Sequence, residues 1–204
     1  MDLKNSIELV LFDLGGVLVD LLESPIPVEH LHNQDKSVFA KWFVSEPAQL
    51  FEKGMINALE FASAMQKDLE LDLSTDQIIN YFEQFSVGLF NGVDNLLHEL
   101  GGHYRLAVLT NTNEIHWSQI VNEFKVLERF EKVFASHSLK MAKPDIKIYQ
   151  YVLKETNLQP NQILFLDDKF ENVQSAQELG IHSVQVRGLQ QVRQVLESLK
   201  LLNI

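Results

Sequence analysis

Ile7-Glu8-Leu9-Val10-Leu11-Phe12-Asp13-Leu14-Gly15-Gly16-Val17-Leu18 decides the fold. The apolar run is short, rich in β-formers and followed by turn residues. That pattern is a strand buried on both faces of a parallel sheet. Asp13 then sits at the strand's carboxyl end, where open α/β sheets hold their ligands. A carboxylate in that position is costly to bury unless it accepts hydrogen bonds from loop amides or holds a cation.

Outward from this strand the pattern changes twice. Residues 21–35 are irregular, with Pro25 and Pro27, and His30 and His32 there read as solvated. Val38, Phe39, Trp42, Phe43 and Leu50 recur at helical spacing, with Pro47 as punctuation and a helix end at Gly54. Asn57 is a cap for the next helix, and Ser74 starts another through Ile78, Ile79, Phe82 and Phe85. Residues 20–88 therefore read as an all-helical insertion without a strand, its phenylalanines forming a core of their own.

From residue 89 an α/β rhythm takes over. Val93, Leu96, Leu97 and Leu100 make a helical stripe. Strands follow at 105–110, 132–135, 162–166 and 182–186, and helices at 114–124, 144–153, 170–179 and 189–201. Pro144 fits a first-turn position. Alternating strands and helices imply parallel pairing through right-handed crossovers. The expected architecture is a Rossmann-like, doubly wound α/β core of residues 1–19 and 89–204, with residues 20–88 inserted as a helical cap.

Composition narrows the function. The chain has 204 residues, 46% apolar and 22% charged, an ordinary globular balance with enough chain for a sizeable core. Its net charge of −11 argues against nucleic acid or an anionic membrane as main partner. The absence of cysteine excludes disulfides, thiolate nucleophiles and thiolate zinc sites. Acidic residues interrupt the first apolar run, which is unlike a signal peptide, and no stretch nears the ~18 apolar residues of a membrane span. A cytoplasmic protein is the expectation.

Three strands end in residues that carry chemistry: Asp13, Thr110-Asn111-Thr112-Asn113, and Asp167-Asp168. Lys143-Pro144-Asp145 lies in a loop before a helix. Carboxylates with a phosphate oxygen form a Mg2+ site, hydroxyl and amide groups hold phosphate, and an ammonium balances charge between them.

These residues resemble the haloacid dehalogenase superfamily across the whole chain. Phe12-Asp13-Leu14-Gly15-Gly16-Val17-Leu18-Val19-Asp20, Leu109-Thr110-Asn111-Thr112-Asn113, Lys143-Pro144-Asp145 and Leu166-Asp167-Asp168 are similar to one subgroup, which includes α-D-glucose-1-phosphate phosphatase. The resemblance implies a five-stranded sheet ordered 5-4-1-2-3. It also implies a Mg2+-dependent phosphatase acting on a small phosphorylated metabolite, a sugar phosphate by subgroup, through an aspartyl-phosphate. Asp13 would be the nucleophile, Thr110 and the Asn111 amide would bind phosphate, and Lys143 would steady the charge. Mg2+ would take Asp13, the Gly15 carbonyl and Asp168, with Asp167 as ligand or behind the ligands. Asn172 would orient the acids.

One position departs from the superfamily. Phosphatases of this group usually carry Asp two residues after the nucleophile as general acid and base, and this chain has Gly15. His116 and Asp20 are the nearest substitutes, although each fits a structural role. Metal-independent dehalogenation and a weak phosphate-binding pseudoenzyme are the competing readings. The paired acids oppose the first and the intact Asp13, Thr110 and Lys143 oppose the second.

Overall fold

The computed structural model describes residues 6–22, 24–31, 37–123 and 125–202. His32 and Phe124 lie outside these. Five parallel strands form the central sheet: β1 (Leu9–Phe12), β4 (Arg105–Thr110), β5 (Lys132–Ala135), β6 (Ile163–Asp167) and β7 (His182–Gln185). Their order is β5-β4-β1-β6-β7. Counting the sheet strands alone, this is the expected order read from the opposite edge. β1 is central, with Phe12 level with Val108 of β4 and Leu166 of β6. All four of its residues are buried, because helices cover both faces of the sheet.

Alternation along the strands divides the core. Val10, Phe12, Val108 and Leu166 pack with α5 (Val93–Gly101) and α10 (Gly188–Ser198). Leu9, Leu11, Leu109 and Phe165 face the other way, onto α8 (Ile146–Thr156) and α9 (Phe170–Glu178). The sheet thus holds the carboxyl ends of β1, β4 and β6 side by side.

Between β1 and β4 run α1 (Ser37–Trp42), α2 (Glu46–Glu52), α3 (Ala58–Asp68) and α4 (Thr75–Glu83). Their shared core includes Trp42, Phe51, Phe61 and Phe82, joined by Ile115 of α6 (Glu114–Glu123). Phe51 stacks on Phe61 at 4.1 Å, and Phe82 meets Phe61 edge-on at 4.9 Å. Asn57 and Ser74 close reciprocal capping boxes with Glu60 and Gln77, so both helix starts coincide with the sequence reading.

Two details differ from that reading. Val19–Leu21 (β2) and Ser86–Leu89 (β3) pair antiparallel at the two ends of the insertion. The pairing joins residues far apart in sequence, and β3 contains Gly88, so neither segment announces a strand locally. Pro144 is not inside its helix. Asp145 is the N-cap of α8, its carboxylate accepting from the Lys147 amide at 3.0 Å. Pro144 precedes the cap, after a cis peptide bond with Lys143.

Candidate active site

Asp13, Thr110, Lys143, Asp167 and Asp168 converge where β1, β4 and β6 end. The Lys143 ammonium is the hub. It lies 3.0 Å from Asp13 Oδ1 and 2.6 Å from Asp167 Oδ2, and donates to the Leu109 carbonyl at 2.9 Å. Lys143 and Asp167 are buried, Asp167 completely. Burial alone would discharge the lysine, but the ion pairs with Asp13 and Asp167 outweigh it and hold its pKa above the ordinary value.

The Leu14 amide donates to Asp13 Oδ1 at 2.8 Å and fixes that carboxylate. Asp167 Oδ1 accepts from the Lys169 amide at 2.8 Å and from Asn172 Nδ2 at 2.9 Å. Asn172 is therefore buried against the acid, one turn into α9. The Asn111 side chain pairs with the Lys143 backbone: its Oδ1 accepts from Lys143 N–H and its Nδ2 donates to Lys143 C=O, both at 2.9 Å. Thr110 is buried, and its hydroxyl lies 3.5 Å from the Asn111 carbonyl, at the limit of a hydrogen bond. The hydroxyl is thus available to a ligand. The Thr112 hydroxyl is buried without a partner among the described residues.

Gly16 is required by this arrangement. Its φ is +72°, and a Cβ there would stand 2.9 Å from Asp168 Oδ2. Gly15 is not so constrained. A Cβ there meets only Leu21 Cδ1, at 3.1 Å, the end of a flexible side chain.

The carboxyl groups of Asp13, Asp167 and Asp168 each offer an oxygen, all within 4.8 Å of one another. One lysine does not neutralise three acids. Burial, followed by repulsion from Asp167 and Asp168, outweighs the Lys143 attraction and pushes Asp13 up to about 6. Asp168 is also raised, first by burial and then by Asp167. An all-oxygen donor set with excess negative charge fits a hard divalent cation such as Mg2+. Asp13 and Asp168 fit as ligands. Both Asp167 oxygens are already engaged, which suits a supporting position behind them.

Sequence reasoning missed Glu52, Ser136 and the side-chain role of Asn111. Glu52 ends α2, and its Oε2 accepts from Asn111 Nδ2 at 3.1 Å. Burial raises its pKa against the pull of Lys169, Asn111 and Lys143. The Ser136 hydroxyl, at the start of α7 (Ser136–Leu139), accepts from Thr112 N–H at 2.9 Å and donates to the Glu52 carbonyl at 2.6 Å. No local pattern marks these residues, since each acts across the fold.

Of the proposed acid substitutes, His116 is structurally engaged. Its Nε2–H donates to the Phe82 carbonyl at 3.0 Å, so Nδ1 is the acceptor, 3.3 Å from Asn113 Nδ2. The ring lies nearly flat against Phe82 and Phe85. Burial lowers its pKa to about 4, the Phe82 bond opposing. Asp20 is exposed on β2, while its neighbours Val19 and Leu21 line the cleft over Asp13. His30 is half-buried, 3.2 Å from the Tyr81 hydroxyl, not solvated as the sequence suggested.

The chain belongs to the haloacid dehalogenase-like hydrolases, whose family pattern matches residues 10–186. It is therefore an enzyme of the hydrolase type. It is 26% identical to a D-ribitol-5-phosphate phosphatase of Bacteroides thetaiotaomicron, over 86% of this chain and 90% of that one. It is 29% identical to a sesquiterpene phosphatase of Aspergillus oryzae, over 84% of this chain and 85% of that one. A haloacid dehalogenase family enzyme of Bacteroides thetaiotaomicron, solved with magnesium and inorganic phosphate, superposes with a TM-score of 0.74. That enzyme is 31% identical, covering 89% of this chain and 94% of its own.

Proposed function

We propose that this chain is a Mg2+-dependent phosphatase of a small phosphorylated metabolite, working in the cytoplasm through an aspartyl-phosphate on Asp13. The observation that carries this reading is the buried Lys143 ammonium shared by Asp13 and Asp167, with Asp168 beside them. A lone nucleophilic acid would not need such a surplus of carboxylates. The relative crystallised with magnesium and inorganic phosphate supports the same chemistry.

Asp13, the Gly15 carbonyl and Asp168 would hold the metal, with Asp167 behind them. Bound Mg2+ would offset the charge of carboxylates and phosphate oxygens brought face to face. The Leu14 amide and Lys143 orient the Asp13 carboxylate for attack on phosphorus. The Thr110 hydroxyl and Asn111 amide bind phosphate oxygens, and Lys143 stabilises the charge that builds on them. The Asp13–phosphorus bond forms as the ester bond to the leaving oxygen breaks, and that oxygen takes a proton from water. A second water then attacks phosphorus, releases phosphate and restores Asp13. Residues 20–88 act as a cap over the strand ends, hinged at β2 and β3. The sequence resemblance points to a sugar phosphate as substrate, whereas the two curated relatives act on a polyol phosphate and on a sesquiterpene compound.

Phosphate release from p-nitrophenyl phosphate tests the reading. Activity should require Mg2+, vanish with EDTA, and fall by at least about 10³-fold in Asp13→Asn. Hydrolysis that persists after complete metal removal would instead favour metal-independent chemistry.

A further inference from the structure

The cleft over Asp13 encloses about 920 Å³ and joins polar strand ends to a set of apolar side chains. Thr110, Asn111, Lys143 and Asp168 stand with Asp13 at the strand ends. Val19, Leu21, Phe43, Val44, Phe85 and Ile120 form an apolar wall beside them. Leu21, Val44 and Phe85 belong to none of the three core clusters. Val44 is 70% exposed and Leu21 38%. Val44 and Leu21 thus leave apolar surface open at the cleft.

Several polar side chains of the lining already have partners, while the Thr112 hydroxyl has none among the described residues. The His116 ring nitrogens bond Phe82 and Asn113, and its faces lie against phenylalanines. Gln49 Nε2 donates to the Val44 carbonyl at 2.9 Å. Glu52 bonds Asn111. The remaining charged lining, Lys53, Asp145, Lys169 and Glu171, comes from the α2 end, the cap of α8 and the segment that follows Asp168. On the apolar side the Ser86 hydroxyl is buried without a partner among the described residues and is open to a ligand.

We infer that the organic part of the substrate lays an apolar surface against this wall: an aliphatic or aromatic phosphate monoester. This rests on the phosphatase reading above for the phosphate end. The apolar wall itself is independent of that reading, so the two can fail separately.

The test uses a series of n-alkylphosphonates, from propyl to octyl, titrated into the Mg2+-loaded enzyme by calorimetry. Their carbon–phosphorus bond is not hydrolysed, so binding is read without turnover. Each added methylene should lower Kd roughly two- to four-fold until the cleft is full. Val44→Ser and Leu21→Asn, both at exposed positions, should flatten that slope. A Kd independent of chain length, or inorganic phosphate binding as tightly as octylphosphonate, would overturn the inference. So would equal slopes in wild type and both variants. Turnover separates the two readings. Phosphate release with a flat chain-length series overturns the apolar substrate and keeps the phosphatase. A steep series with no release from octyl phosphate or p-nitrophenyl phosphate keeps the apolar site and overturns the phosphatase.

Discussion

Gly15 is where the chemistry and the local structure can be set against each other. Without a carboxyl there, the leaving oxygen departs without a dedicated proton donor. Neither substitute replaces it: His116 donates its proton to Phe82, and Asp20 is exposed on β2 outside the cleft lining. The glycine is not a backbone necessity, unlike Gly16, because a Cβ at Gly15 meets only the tip of Leu21. Gly15→Asp should therefore fold, with its carboxyl near the reacting oxygens. General acid catalysis is worth about 10²–10⁴-fold, and a poor leaving group has most to gain from it. Phenyl phosphate and cyclohexyl phosphate form a pair matched in size and apolar surface. The variant should gain at least about ten-fold more in kcat on the cyclohexyl ester than on the phenyl ester. Equal gains on both would show that protonation of the leaving oxygen is not the missing step.

At the scale of elements, α6 meets α4 through Ile115 and the neutral imidazole of His116. The His116 pKa falls from an ordinary 6.5 to about 4 because the ring is buried. The unfolded chain therefore binds the proton more readily, and folding is favoured while the ring is neutral. This contribution is complete above about pH 6.5 and is lost as the pH falls toward 4. Between pH 7 and pH 5 the loss is on the order of 2 kcal/mol. Urea unfolding of wild type and His116→Gln should show it as a stability difference that shrinks by that amount at the lower pH. Parallel stability curves would place the ring in a solvated setting instead. The same contact shows what the sequence could and could not reveal. Apolar periodicity and capping residues marked the sheet strands and the helices around Asn57 and Ser74, because those signals are local. Asp13, Thr110, Lys143 and the Asp167–Asp168 pair were legible for the same reason: each lies at a strand end or helix entry that its own neighbours define. β2 and β3 were not, since each is completed only by the other. Glu52, Ser136 and the Asn111 side chain were equally hidden, their partners lying on segments distant in sequence.

For the whole molecule, the question is whether residues 20–88 move against the sheet. Bonds between the two parts lie at Glu52, which meets Asn111 and Ser136, at Phe82, which meets His116, and at the α2–α3 turn. The Lys140 ammonium donates to the Gly54 carbonyl, and Glu114 Oε1 accepts from the Ala58 amide at 2.6 Å. Gly54 has φ +59°, and a Cβ there would lie 2.5 Å from the His137 carbonyl oxygen, so the turn is pressed against α7. Closure of the proposed cap therefore draws in part on the α2–α3 turn, besides the Glu52–Asn111 bond in the cleft. Each such hydrogen bond contributes about 1 kcal/mol. If the cap opens about β2 and β3, the paired substitution Lys140→Met with Glu114→Ala shifts the balance toward the open form. KM should then rise roughly five- to ten-fold while the melting temperature moves little, because neither side chain belongs to a core. Amide exchange at residues 54–58 should quicken in parallel. Faster exchange with an unchanged KM would mean that the turn frays locally while the insertion stays fixed on the sheet, and the hinge would have to be abandoned.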